Sequence, residues 1–319
     1  MRFQWARWLP LRSVLLYEAP GLQGILGTAL DEVNARTIQY PAPKNVTSRM
    51  HANSLIWLAV ALLAYYAIWG RKGNGAIARE IRTMTASKAV MAAYRDGDYA
   101  LALQKTEGLK DGSSKTAEYC FFRGSLLHRL GQLSQAETSL REGLPLQTDD
   151  RQRALVYNTL ASVLMDQERF TESIAFFENA GRAWPDRGSN HSGIAEVWLR
   201  QEREFSEALD HARQAVEIDR PATGMKKEAL DTRLGEDLAV LAWAVAANSG
   251  DAHEVESLLT EAFPLCGTKT KPILAQLHYH AGRAYAALKM PEKSRGHFRQ
   301  AAEIDPHGIF GRLARAMLS

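Results

Sequence analysis

The sequence predicts an all-α protein in which stacked helical hairpins form a solenoid behind a single transmembrane helix. Three observations predict it. From about residue 76 onward apolar residues recur at helical spacing between short polar turns, with no Val/Ile/Thr-rich alternating run among them. Small and large residues return in the same order at intervals near 34 residues. Residues 54–70, SLIWLAVALLAYYAIWG, carry no charge at all.

The elements follow in chain order. Residues 1–49 form an N-terminal tail holding Arg2, Arg7, Arg12, Arg36, Lys44 and Arg49 against Glu18, Asp31 and Glu32. Its first 17 residues carry three arginines and no acid, as a mitochondrial presequence does, while Pro10, Pro20, Pro41 and Pro43 prevent one long helix. Two readings stay open: a targeting segment, or a start placed too early, with Met50 opening a compact protein. Residues 50–72 are the expected single-pass anchor. Seventeen helical residues span about 25 Å, at the short end for a bilayer core of about 30 Å. Tyr65, Tyr66 and Trp69 suit the headgroup layer, and Arg71 and Lys72 follow as a charged stop. Arg71, Lys72, Arg79 and Arg82 downstream outnumber Lys44 and Arg49 upstream, which favours a cytoplasmic body; the six basic residues of the whole tail argue the other way.

Four stretches of the body align. Residues 154–187 place Ala161, Phe170, Ser173, Phe177, Ala180 and Pro185 in the order that 275–308 repeats with Gly282, Tyr285, Ser294, Phe298, Ala301 and Pro306. Residues 117–150 match through Gly124, Leu133, Ala136 and Leu140, and 189–222 through Ala195, Phe205, Ala208 and Ala215. Small residues at the eighth and twentieth positions let two helices approach, and a large residue near position 24 fills the space between them. Weaker units cover 83–116 and roughly 236–269, where Val255 replaces the small residue; residues 220–235 leave room for a linker or a longer helix. This pattern resembles the tetratricopeptide repeat (TPR), a 34-residue helix–turn–helix unit. The resemblance implies a right-handed α-solenoid of about six TPR-like units over 76–308. Residues 309–319, with Ile309, Leu313 and Met317 four apart, are expected to cap it.

Composition narrows the function. The chain has 39 Lys and Arg against 36 Asp and Glu; removing the tail's share leaves 33 of each, so the body lacks the basic excess a nucleic-acid binder needs. Cys120 and Cys266 offer neither a disulfide framework nor zinc spacing. No HExxH, GxSxG or Walker motif occurs, so no catalytic residue, cofactor or metal is expected. His278 and His280, two apart, point away from each other on a helix, and His191, His211 and His253 are read as lying in separate units. The acidic pairs Asp149–Asp150 and Glu236–Asp237 are read as caps at turns or helix starts. An enzyme would need titratable groups to converge between repeats, around Glu196 and Arg200 or His278 and Arg283.

What remains is surface. In the resembled repeat the first helix of each unit lines a concave face at positions 2, 5, 9 and 12. The candidate groove is therefore Phe121, Ser125 and His128; Asn158, Ser162 and Met165; Asn190, Val197 and Arg200; and Gln276, Tyr279 and Arg283. Asn158 matches the carboxylate clamp of TPR domains that take acidic tails, but the clamp's lysines are missing. A mixed polar, aromatic and Met-bearing groove suits a protein or peptide partner. The chain is therefore read as a membrane-anchored scaffold supporting assembly or recruitment, or alternatively as a mitochondrial inner-membrane assembly or quality-control factor with an N-terminal presequence.

Overall fold

The computed structural model describes residues 76–111, 115–223, 226–267 and 270–319. The tail 1–49 and the expected membrane span lie outside them. Among the described residues no helix is long and apolar enough to cross a membrane.

Thirteen α-helices run through the described residues, twelve of them in six hairpins: α1 (Ala76–Arg95) with α2 (Tyr99–Lys105), α3 (Ala117–Arg129) with α4 (Leu133–Gly143), α5 (Asp150–Asp166) with α6 (Phe170–Ala183). They continue as α7 (Ser189–Arg200) with α8 (Phe205–Asp219), α9 (Lys227–Asn248) with α10 (Ala252–Cys266), α11 (Lys271–Ala287) with α12 (Pro291–Ile304), and a last helix, α13 (Ile309–Ala316). Each hairpin packs on its neighbours, so the chain is an α-solenoid.

Local chemistry sets the helix ends. Asp98, Thr116, Asp149 and Asp251 accept backbone N–H bonds at the starts of α2, α3, α5 and α10. Inside most hairpins one residue turns left-handed: Gly97, Gly131 and Gly250 at φ 75°, 71° and 69°, but Glu168 and Lys289 at 61° and 57°. The next residue's N–H then reaches back five residues, as in Gln132 to Leu127, Arg169 to Leu164 and Met290 to Tyr285, all at 2.9 Å.

The small positions do what the pattern requires. A Cβ on Gly124 meets Leu140 Cγ at 2.6 Å, and one on Gly282 meets Phe298 Cε1 at 2.6 Å. At position 20 the hydroxyls of Ser173 and Ser294 donate to the carbonyls of Ala161 and Gly282, at 2.8 and 2.9 Å, tying the two helices together where they touch. The fifth hairpin solves the same problem elsewhere. Of the two readings of residues 220–235 the longer helix is realised: α9 begins at Lys227 and runs 22 residues. Its close approach has moved to Gly235, where a Cβ would meet Cys266 Sγ at 2.6 Å and the Ala262 carbonyl at 2.9 Å. Residues Leu238–Ala246 are buried on every side, since α7, α8, α10 and α11 all pack against α9.

Helix α13 caps the last hairpin with Ile309, Phe310 and Ala314, and Leu313 packs beside them; of the expected row only Met317 misses, being exposed. Gly311 lets it press onto the carbonyl of Asp305. The same helix touches the other end of the array: Leu133 of α4 packs into its apolar cluster, Arg312 donates to the Arg129 carbonyl at 3.4 Å, and the Arg129 guanidinium lies 5.4 Å from the Phe310 ring. Tyr99 of α2 donates to buried Asp305, and α1 touches α11. The array therefore closes on itself.

Candidate partner-binding cavity

Closure converts the inner face of the first helices into a cavity of about 480 Å³. Phe121, Ser125 and His128 line it from α3, and Asn158, Ser162 and Met165 from α5. Arg200 and Gln276 line it from α7 and α11. The remaining candidates lie elsewhere. Val197 is sealed in the core, Tyr279 packs between Phe298 and Phe310, and Arg283 sits 4.5 Å over the Trp243 ring. Asn190 is buried beside a second cavity. The register explains the misses in α7. Its cavity face is Ser189, Ser192, Gly193, Glu196 and Arg200, one residue out of step with 190 and 197, because Gly193 rather than Ala195 packs against Phe177 of the preceding unit.

The cavity wall holds a buried charge network. Asp166 at the end of α5 accepts from Arg200 at 2.6 Å and contacts His128 Nε2 at 2.6 Å. Arg200 also reaches Glu196 at 2.6 Å, whose other oxygen lies 3.5 Å from His280 Nε2. That last contact is electrostatic rather than a hydrogen bond, and the His280 ring also stacks on Trp243 at 6.1 Å. Burial alone raises the pKa of Asp166 and Glu196, but the Arg200 charge, with His128 and His280, outweighs it and holds both below the usual carboxylate range. Both acids stay ionised and occupied.

A second cluster corrects the sequence reading of Glu236–Asp237. These two lie inside α9, not at a turn, and both line the cavity. Burial raises the pKa of Glu236. Asp237 is 2% exposed and accepts from Ser192 Oγ at 2.5 Å. Burial, then the charge of Asp219, pushes its carboxyl well above the usual range. Among the described residues its Oδ2 has no hydrogen-bond partner, and the raised pKa favours a proton on this carboxyl. Asp219 itself binds Arg233 and accepts from the Gly188 N–H at 2.8 Å. Ser125 Oγ is a further buried polar atom in the wall with no partner among the described residues.

Sequence reasoning missed Asp166, Glu236 and Asp237, although one signal was available. His128 and Asp166 are 38 residues apart, and Asp166 and Arg200 are 34 apart. One repeat length places charges at matching heights on adjacent first helices. Of the two convergences an enzyme would need, Glu196 with Arg200 forms; His278 and Arg283 do not meet, since His278 faces His297 instead. The histidines depart from expectation again: His191 and His211 belong to one hairpin and face each other. Among the described residues no three metal-ligating side chains converge. Both cysteines are buried and free, and burial raises both thiol pKa values, that of Cys266 to about 12, which disfavours the thiolate.

Comparison with known proteins bears on the repeats. The tetratricopeptide repeat family model matches residues 117–150 and 275–307. No curated protein matches the chain. Among solved structures the chain is similar to PilW, a widely conserved type IV pilus biogenesis factor, at 16% identity and a TM-score of 0.45, covering 77% of this chain and 100% of that one. It is similar to pilF of Pseudomonas aeruginosa at 12% identity and a TM-score of 0.43, covering 75% and 99%. It is also similar to BtubC from P. vanneervenii, at 18% identity and a TM-score of 0.42 with 72% and 91% covered. The helix pairs of α3–α4 and α11–α12 coincide with the matched segments, and the chain carries tetratricopeptide repeats.

Proposed function

We propose that this protein is a membrane-anchored, non-enzymatic scaffold that captures a segment of a partner protein or peptide in its central cavity. The supporting observation is the arrangement of that cavity. Polar groups such as Ser125 and Asn158 share it with Phe121, Met165 and Phe310, over a wall whose charges are fixed by ion pairs. Such a wall is preorganised and costs little to order on binding. Asp166 and Glu196 are saturated by Arg200 and the histidines, which favours recognition over proton transfer. Residues 50–72 hold the repeats at a bilayer, where tethering raises the effective concentration of membrane-bound partners. The body faces the cytoplasm, and residues 1–49 precede the anchor as a tail.

A photo-crosslinking residue at Ser162, inside the cavity, tests the reading in native membranes against one at Glu303, which is exposed on α12. A discrete adduct from position 162 and none from 303 is expected; equal labelling removes the cavity from the function. Alkaline extraction tests the anchor, since a chain lacking 54–70 is expected to leave the membrane pellet.

A further inference from the structure

Two arginines of the cavity wall stand outside its ion pairs. Arg129, on the last turn of α3, lies 5.9 Å from the Tyr94 ring and 5.4 Å from the Phe310 ring, and all three line the cavity. Arg187, between α6 and α7, lies 5.2 Å from the Trp184 ring and donates through Nε to Ser189 Oγ at 2.6 Å. Among the described residues the wall's carboxylates are paired by Arg200, Arg233 and His128, not by these two. Both guanidiniums therefore rest on aromatic rings, which support a cation without occupying its fork of donors as a carboxylate does.

The acids around them are committed or out of reach. Asp305 accepts from Tyr99 and from the Gly308 N–H at 3.1 Å, and Asp219 holds Arg233. Glu236 acts on both arginines through space and forms no ion pair with either among the described residues. Burial, then the charge of Arg233, lowers the pKa of Arg187, so its surroundings leave that charge under-compensated. Ser125, one turn before Arg129 on the same face of α3, adds the buried hydroxyl that lacks a partner.

We propose that the segment captured in the central cavity is acidic, one carboxylate side chain being taken by Arg129 and Ser125 and a second by Arg187. This assignment rests on the capture proposed above and supplies the chemistry of the occupant. Guanidinium and carboxylate pair through two parallel N–H bonds, about twice as strong as neutral ones. An uncompensated buried cation is costly, and an entering carboxylate relieves that cost. Each arginine stands alone, which suits a single negative charge. A phosphoryl group brings about −1.5 to −2 and exceeds what one guanidinium balances beside Glu236. At about 480 Å³ the cavity falls in the range of about 300–1,000 Å³ that encloses a small ligand, so a short stretch of chain fills it.

The test uses the purified full-length chain in detergent and tetrapeptides with both ends blocked and a neutral dye, so that no terminal carboxylate is present; binding is read by fluorescence anisotropy. Tetraglutamate is expected to bind the wild type at least tenfold more tightly than tetraglutamine or tetralysine. Equal affinities for tetraglutamate and tetraglutamine overturn the proposal without any variant, and tighter binding of a phosphoserine counterpart overturns the carboxylate assignment. Arg129→Gln and Arg187→Gln are each expected to weaken tetraglutamate binding at least tenfold, while Arg299→Gln, exposed on α12, leaves it unchanged. Glu236→Gln removes the acid that opposes the segment and is expected to tighten binding, a gain that a misfolded chain does not produce. Unchanged binding in both inner arginine variants, or weaker binding in Glu236→Gln, overturns the site. Capture is judged separately at Ser162: a discrete adduct there without a preference for acidic peptides removes the acidic site alone, whereas equal labelling at 162 and 303 removes the cavity.

Discussion

At the scale of single residues, the outcome turns on which buried charges are paired. Arg200→Ala strands Asp166 and Glu196 without their shared cation, and removing one member of a buried ion pair costs about 3–5 kcal/mol. Urea denaturation of the variant is expected to show that loss. The two acid clusters respond to pH with opposite signs. Asp166 and Glu196 have lowered pKa values, so their contribution is complete above the ordinary carboxylate value of about 4 and is lost as pH falls below it. Asp237 has a raised pKa, so its contribution is complete below about 4 and declines as pH rises toward that raised value. Asp237→Asn, which imitates the protonated acid, is therefore expected to match wild type in Tm at pH 4 and exceed it at pH 7. An equal Tm difference at both pH values would contradict the burial-driven shift. The sequence exposed the inner-facing residues of α3 and α5 because regular spacing carries over to them. It hid Asp237 because paired acids are common at caps, and only the length of α9 reveals that this pair lies mid-helix.

At the scale of elements, helix approach and turn conformation dominate, and the first was largely legible. Small residues 12 apart announce where two helices touch, and Gly282 against Phe298 is such a contact. Gly282→Val is expected to lower stability by about 1–3 kcal/mol through overpacking, read from the urea midpoint at unchanged slope. The fifth hairpin was less legible because its close contact moved from the usual site, occupied by Val255, to Gly235. The turns add a different sensitivity. Gly131 holds φ 71°, and a Cβ there also meets the Arg312 guanidinium. Gly131→Ala is expected to cost about 1–2 kcal/mol in backbone strain alone. It is also expected to speed hydrogen exchange in α13, which rests on that turn.

At the scale of the whole molecule, the sequence announced a solenoid and said nothing of its closure. Whether an array meets its own end depends on small rotations summed over every hairpin, and no local pattern records that sum. The contact that reports it, Tyr99 with Asp305, joins residues 206 apart. Tyr99→Phe removes the phenol that buried Asp305 accepts. Faster hydrogen exchange is then expected at both ends at once, in α2 and α13, with α5–α8 unaffected.

An open repeat array behaves as a one-dimensional chain, whose terminal units melt first because each has a single neighbour. Here the terminal hairpins have neighbours on both sides. Unfolding from any point must break two interfaces before a first unit is released, so the ring loses the graded fraying of a linear array and melts as one cooperative body. The same circularity delays assembly, because the closing contact must wait until more than two hundred residues of chain have been gathered in. The helix that seals the ring comes after the other described helices in chain order, so a ribosome-bound chain remains an open array until translation reaches α13.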